Sequence, residues 1–154
     1  MELNKFLVEA KKNTYAAGTK EIILPDGGRE LVYEKGVYRY RDLYYGFNPF
    51  SGQEIVWQNG NLIWIMNYSG KARDDFGIST EEIYKNLKKA LLEVPEEFPF
   101  RGPRLLKLDN FLQYFNKYLG DINSFEGEEN ISFKGAPTYN LIYHGGLIKT
   151  NARN

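Results

Sequence analysis

Residues 50–70 read again, without a gap, as residues 125–145. Phe50-Ser51-Gly52-Gln53-Glu54 meets Phe125-Glu126-Gly127-Glu128-Glu129. Gly60 then meets Gly135, Tyr68 meets Tyr143 and Gly70 meets Gly145. Six of the 21 positions are identical, where ordinary residue frequencies give about one or two. The same spacing of 75 residues aligns Gly27 with Gly102, Arg29 with Arg104, Leu31 with Leu106 and Asn48 with Asn123. A fold for this chain has to accommodate one supersecondary unit twice.

The unit opens with a helix. Leu3, Phe6, Leu7 and Ala10 fall at i, i+3, i+4 and i+7, and Gly18 is a stop. The second helix opens on the capping box Ser79-Thr80-Glu81-Glu82, carries the stripe Ile83, Leu87, Leu91, and ends before Pro95. After each helix the period falls to two. Tyr38, Tyr40 and Tyr44 share one face of a run whose other face holds Arg39, Arg41 and Leu43. Gln53–Trp57 and Leu62–Tyr68 flank Asn59-Gly60 as a hairpin. Leu108, Phe111, Leu112, Phe115 and Leu119 also fit a helical stripe. Their partners in the first unit read as strand, and strand is the expectation for both.

The fold class expected is α+β. Two pseudo-symmetric repeats, about 1–75 and 76–150, each place a helix on a meander of about four antiparallel strands and share one core, within a single domain 1–154. The repeat also sets a register. Positions 54, 56, 64, 66 and 68 keep their character in the second copy, so their face is the core face. Both hairpin arms share that parity only with an odd loop. A three-residue loop then sets Glu54 opposite Trp64 and Glu129 opposite Tyr139.

Composition removes several function classes. Without cysteine there is no disulfide, thiol nucleophile or zinc-thiolate site, and one histidine, His144, allows no multi-histidine metal site. No metal and no cofactor is expected. Lys plus Arg equals Asp plus Glu, at 20 each, so no general field favours nucleic acid or anionic lipid. No apolar run is long enough for a membrane span. The first residues lack the basic and apolar regions of a signal peptide, so a cytoplasmic location is expected.

Seven residues stand out as candidate ligand-binding positions. Glu54 and Glu129 are carboxylates on an apolar face, which need partners or a raised pKa, and two such groups can divide acid and base work. Their duplication favours architecture over chemistry, because catalysis rarely needs both copies. His144 has the side chain that titrates near neutrality, but no serine elbow accompanies it. Tyr40, Trp64, Tyr68 and Tyr143 supply aromatic walls. The loop Gly46–Gly52 adds Phe47 and Phe50, as binding surface if exposed and as a plug if buried.

The run Tyr38–Gly46, then Phe50-x-Gly52-Gln53-Glu54, Gly60, Trp64-x-Met66-Asn67-Tyr68-x-Gly70, Arg101-Gly102-Pro103 and Tyr143–Ile148 resembles an uncharacterised family of prokaryotic domains of unknown function. The resemblance implies relatives that carry a helix-turn-helix regulator domain ahead of this unit. It implies no reaction, cofactor or catalytic residue. The functional expectation is a non-enzymatic module that binds a small molecule or a protein partner. The alternative is a hydrolase or isomerase using Glu54, Glu129 and His144. Self-association as a homodimer is expected from open sheet edges and zero net charge.

Overall fold

Helix α1 (Leu3–Lys12) precedes five strands: β1 (Ile22–Ile23), β2 (Arg29–Lys35), β3 (Tyr38–Tyr45), β4 (Phe50–Gln58) and β5 (Asn61–Ala72). Helix α2 (Thr80–Leu92) precedes four more: β6 (Leu105–Lys107), β7 (Leu112–Asp121), β8 (Ser124–Phe133) and β9 (Ala136–Leu147). This is a computed structural model, and it describes residues 2–150. Met1 and residues 151–154 of the expected domain lie outside the described residues. The architecture is mixed α+β. All nine strands form one antiparallel sheet in the order β1-β2-β3-β4-β5-β9-β8-β7-β6.

The segment 112–121 is strand, as the repeat implied. Alternation decides it. Leu112, Tyr114, Asn116 and Tyr118 are buried while Phe115 and Leu119 stay exposed, so burial outweighs the helical spacing of the latter pair. In α2, Ser79 accepts a hydrogen bond from the Glu82 N–H, and Ile83, Leu87 and Leu91 face the core. Both helices pack on one face of the sheet. Phe6, Leu7 and Ala10 join Ile83, Leu87 and Ala90 over Tyr40, Val56, Trp64, Met66, Tyr139 and Leu141. Each large side chain buried there contributes about 1.5–3 kcal/mol. The segment after α2 adds Phe100, stacked on Phe125 at 3.8 Å.

The core face is the one the repeat picked out, but the register is shifted. Glu54 lies opposite Met66 and Glu129 opposite Leu141, while Trp64 and Tyr139 face Val56 and Ile131. The turns are two residues long: Asn59-Gly60 and Lys134-Gly135, all four with positive φ. The odd residue sits in the strands instead. A bulge at Val56/Trp57, and another at Ile131/Ser132, restores the parity.

At the centre of the sheet, Tyr68 on β5 lies opposite Tyr143 on β9. Each ring folds back over a glycine on the neighbouring strand, Gly52 on β4 and Gly127 on β8. A Cβ at Gly127 would lie 2.2 Å from the Tyr143 ring, so only glycine lets the ring lie flat there. The edges are β1 and β6, of two and three residues, and short edges offer little backbone to a second sheet. Gly127→Ala is expected to lower stability by about 1–3 kcal/mol through displacement of Tyr143. Urea denaturation, read as a fall in the midpoint, is the measurement.

Candidate functional site

The inward face of β3 carries Tyr38, Tyr40, Asp42 and Tyr44 in alternation. Asp42 lies directly across from Glu54 on β4. Two carboxyls so placed repel, and burial leaves little water to screen them. Glu54 has a cation of its own. Lys11, in the last turn of α1, donates to Glu54 Oε2 and to the Phe100 carbonyl at 2.7 Å. Burial pulls the Lys11 ammonium down from its ordinary range, against the pull of Glu54. Among the described residues Asp42 has no such cation. Its Oδ1 accepts a hydrogen bond from the Tyr68 hydroxyl at 2.6 Å. Burial first, and the Glu54 carboxyl second, push Asp42 up to about 7.

The other half of the sheet repeats the pattern with one change. Glu129 on β8 lies opposite Asn116 on β7. Asn116 Oδ1 accepts from the Tyr143 hydroxyl at 2.7 Å, as Asp42 does from Tyr68. Arg101 grips Glu129 with Nε at 3.1 Å and Nη2 at 2.8 Å. The hydroxyl of Tyr139 donates at 2.8 Å, and that of Tyr114 donates to the other oxygen. This fork-on-fork geometry satisfies both oxygens of a fully buried carboxylate. The Arg101 guanidinium also lies 5.7 Å from the Tyr68 ring centre, which links the two halves.

A cleft of about 720 Å³ opens between α2 and this face. Tyr84, Lys85 and Lys88 of α2 form one wall, and Tyr44 and Tyr68 of the sheet form the other. Phe47 and Phe50 stand at the end, with Tyr15 from the turn after α1. The 46–50 loop is held by Asn48, whose Oδ1 accepts from the Ala72 N–H at 2.8 Å, and by the Tyr84 hydroxyl, which donates to the Phe47 carbonyl at 2.9 Å. Phe47 is exposed and Phe50 half-buried. Asp42 and Arg101 lie at the floor, where the cleft meets a cavity of about 20 Å³, room for a single water molecule. Tyr15, Asp42 and Arg101 line both spaces, and Lys11, Tyr40 and Glu54 line the smaller one.

Of the seven residues singled out in the sequence, Tyr68 lines the cleft. Tyr40 and Glu54 lie beneath it, buried. Trp64 and Tyr143 are packed in the core, with Trp64 stacked on Phe125 at 5.7 Å. Glu129 is sealed under Arg101, and His144 is exposed on the opposite face of the sheet, paired with Asn67 and Glu126. Sequence reasoning missed Asp42, Lys11, Arg101, Tyr15 and Tyr84. Two of them carried a signal. Asp42 shares its parity with Tyr40 and Tyr44, and Lys11 continues the apolar stripe from Leu7 at i+4. Among the described residues no cluster of three or more His, Cys, Asp or Glu is placed to hold a metal ion, and no helix is long and apolar enough to cross a membrane.

Fold and site together define a mixed α+β architecture with an aromatic-walled cleft over a buried charge network. The chain belongs to a family of domains of unknown function: the one described as Domain of unknown function (DUF5680) matches residues 42–148. The match begins at Asp42 and takes in Glu54, Tyr68, Arg101 and Glu129, while Lys11 and Tyr15 precede it. No curated protein and no solved structure matches the chain.

Two measurements probe the network. Arg101→Met leaves Glu129 buried without its cation and is expected to cost about 3–5 kcal/mol, with partial recovery in the double variant Arg101→Met/Glu129→Gln; urea unfolding of the three proteins reads both. Asp42 takes up its proton at a higher pH when folded than when unfolded. Its contribution is therefore fully present below the unfolded value near 4 and is lost as pH rises through about 7. Asp42→Asn is expected to stabilise the protein at pH 8, relative to its effect at pH 5, by roughly 2–4 kcal/mol. Unfolding curves for both proteins at the two pH values give the difference.

Proposed function

We propose that this chain is a non-enzymatic module that binds a small molecule in the cleft between α2 and the sheet. The observation that carries the reading is the floor of that cleft. An opening of about 720 Å³ with six aromatic rings in its lining ends on three polar side chains, Asp42, Arg101 and Tyr15, that also line the small cavity beneath it. Concave, mostly apolar walls with a few convergent polar groups are what small-molecule sites have in common. The competing hydrolase or isomerase needs Glu54, Glu129 and His144 around one reacting atom. The ion pairs that hold both glutamates, and the place of His144 on the far face, weigh against it. On the same reading the module belongs to a cytosolic prokaryotic protein, and a regulatory role would need a further partner.

We also infer that the sheet descends from a duplicated α-β-β-β-β unit. In support, each half carries a bulge, a two-residue turn, a buried glutamate and a tyrosine folded over a glycine, each 75 residues from its counterpart. Tyr68 and Tyr143, equivalent under that spacing, face each other across the seam.

The cleft reading is tested by amide chemical-shift mapping against a library of metabolite-sized compounds. Compounds that raise the melting temperature by mass action are expected to move the amides of residues 44–50 and 84–88. Binding that clusters on the opposite face of the sheet, or no binding across the library, would overturn it.

A further inference from the structure

The charged side chains buried between helices and sheet do not balance. Among the described residues they are Lys11 and Arg101 against Asp42, Glu54 and Glu129. Each cation is committed: Lys11 to Glu54 and Arg101 to Glu129. Asp42 is the third carboxyl, and no cation is its own. Tyr68 donates to Oδ1, and the Asp42 side chain lines the cleft.

The second half of the sheet says what the charge is not for. Asn116 stands opposite Glu129 as Asp42 stands opposite Glu54, and it accepts the same tyrosine hydrogen bond. A neutral amide therefore suffices for the packing and for the tyrosine. In that half the space over the sheet is filled: Phe98 packs on Tyr118 at 4.3 Å, and Arg104 lies 3.9 Å from the Tyr118 ring centre. The acid stands where the cleft is open, and the amide stands where it is closed. Burying an uncompensated carboxylate is costly, and the architecture alone does not call for it at Asp42.

We propose that the cleft takes a ligand carrying a protonated nitrogen, which Asp42 receives at the floor between the Tyr44 and Tyr68 rings. The proposal rests on the cleft as the binding site. The walls suit such a group. Tyr15, Tyr44, Phe50, Tyr68 and Tyr84 all line the cleft, and π faces attract a desolvated cation. The mouth adds no preference for a cation, because Arg29, Lys85 and Lys88 stand there against Glu21 and Glu81, with Arg29 paired to Glu21; the sign is set at the floor. The ligand's cation would complete the charge balance of the floor, three positive groups against three carboxyls.

The same arrangement makes a proton the competitor. The groups that face Asp42 are Glu54 from β4, Tyr68 from β5, Lys11 from α1 and Arg101 from the segment after α2, and the carboxyl they surround is held up to about 7. A bound ammonium favours the ionised form, so binding near neutrality releases a proton to the buffer. The affinity is expected to fall roughly thirtyfold between pH 8 and pH 5.5.

The test uses the full chain and a panel of matched aromatic probes: tryptamine, benzylamine and benzamidine against indole-3-acetate and benzoate. Binding is followed by calorimetry in two buffers of different ionisation enthalpy, with amide shifts to locate it. The ammonium and amidinium probes are expected to bind in the cleft at least tenfold more tightly than the carboxylates, with proton release at pH 7. Asp42→Asn, the residue the other half already uses, should weaken them at least tenfold and leave the carboxylates unchanged. If carboxylates bind the cleft as well as their cationic counterparts, or if Asp42→Asn leaves the amines unaffected, the charge assignment is wrong while the cleft remains a binding site. If no probe of either sign shifts a cleft amide, both readings fall together.

Discussion

Two buried ion pairs hold the layers of this protein in place. Lys11 reaches from the end of α1 to Glu54, and Arg101 reaches from the segment after α2 to Glu129. Helix packing on a sheet by apolar contact alone tolerates sliding, because Leu and Phe side chains have no directional preference. A cation that must meet one carboxylate, in a place where nothing else can neutralise it, does not. Lys11 fixes α1 in rotation and along its axis over β3 and β4. Arg101 does the same for the irregular chain that brings Phe100 onto Phe125. The cleft is the space left between elements so positioned.

The same pairs explain the character of Asp42. Each pair removes one glutamate from the local charge and leaves its neighbour across the strand pair to manage alone. Asn116 manages by being neutral. Asp42 manages by holding a proton near neutrality, with Tyr68 as its one hydrogen-bond donor. A single difference in side-chain chemistry at matched places thus separates a filled half from an open one.

Much of this was legible before any coordinates. The helices, their apolar faces, the Ser79 cap and the core parity of residues 54, 56, 64, 66 and 68 follow from periodicity and from the repeated segment. The strand at 112–121 followed as well, against its own helical spacing. The register did not, because parity reports which face a residue takes and not where the extra residue sits. A bulge in the strand and a longer turn leave the same signature in sequence. Asp42 was obscured for a related reason. The ungapped spacing of 75 residues sets it beside Lys117, whereas its structural counterpart Asn116 is 74 residues away, because the path from Asn116 to its partner Glu129 is one residue longer than the path from Asp42 to its partner Glu54. Glu54 and Glu129 were visible as carboxylates on an apolar face, but their partners come from remote elements. No local pattern announces that Lys11 and Arg101 close those pairs.

The order of strands has a kinetic consequence. Seven of the eight strand pairings join neighbours in sequence, and only β5 with β9 brings distant segments together. Local hairpins close in microseconds, whereas a contact across a long loop must first overcome its closure entropy. The five-strand and four-strand ribbons on either side of that seam can therefore form independently, each guided by a tight glycine turn. The zipper of β5 onto β9 comes afterwards, with the Tyr68–Tyr143 pair at its middle. Until it closes, two long unpaired edges face solvent, each of twelve residues. In this chain the time between ribbon formation and docking is when one copy could capture half of another in place of its own.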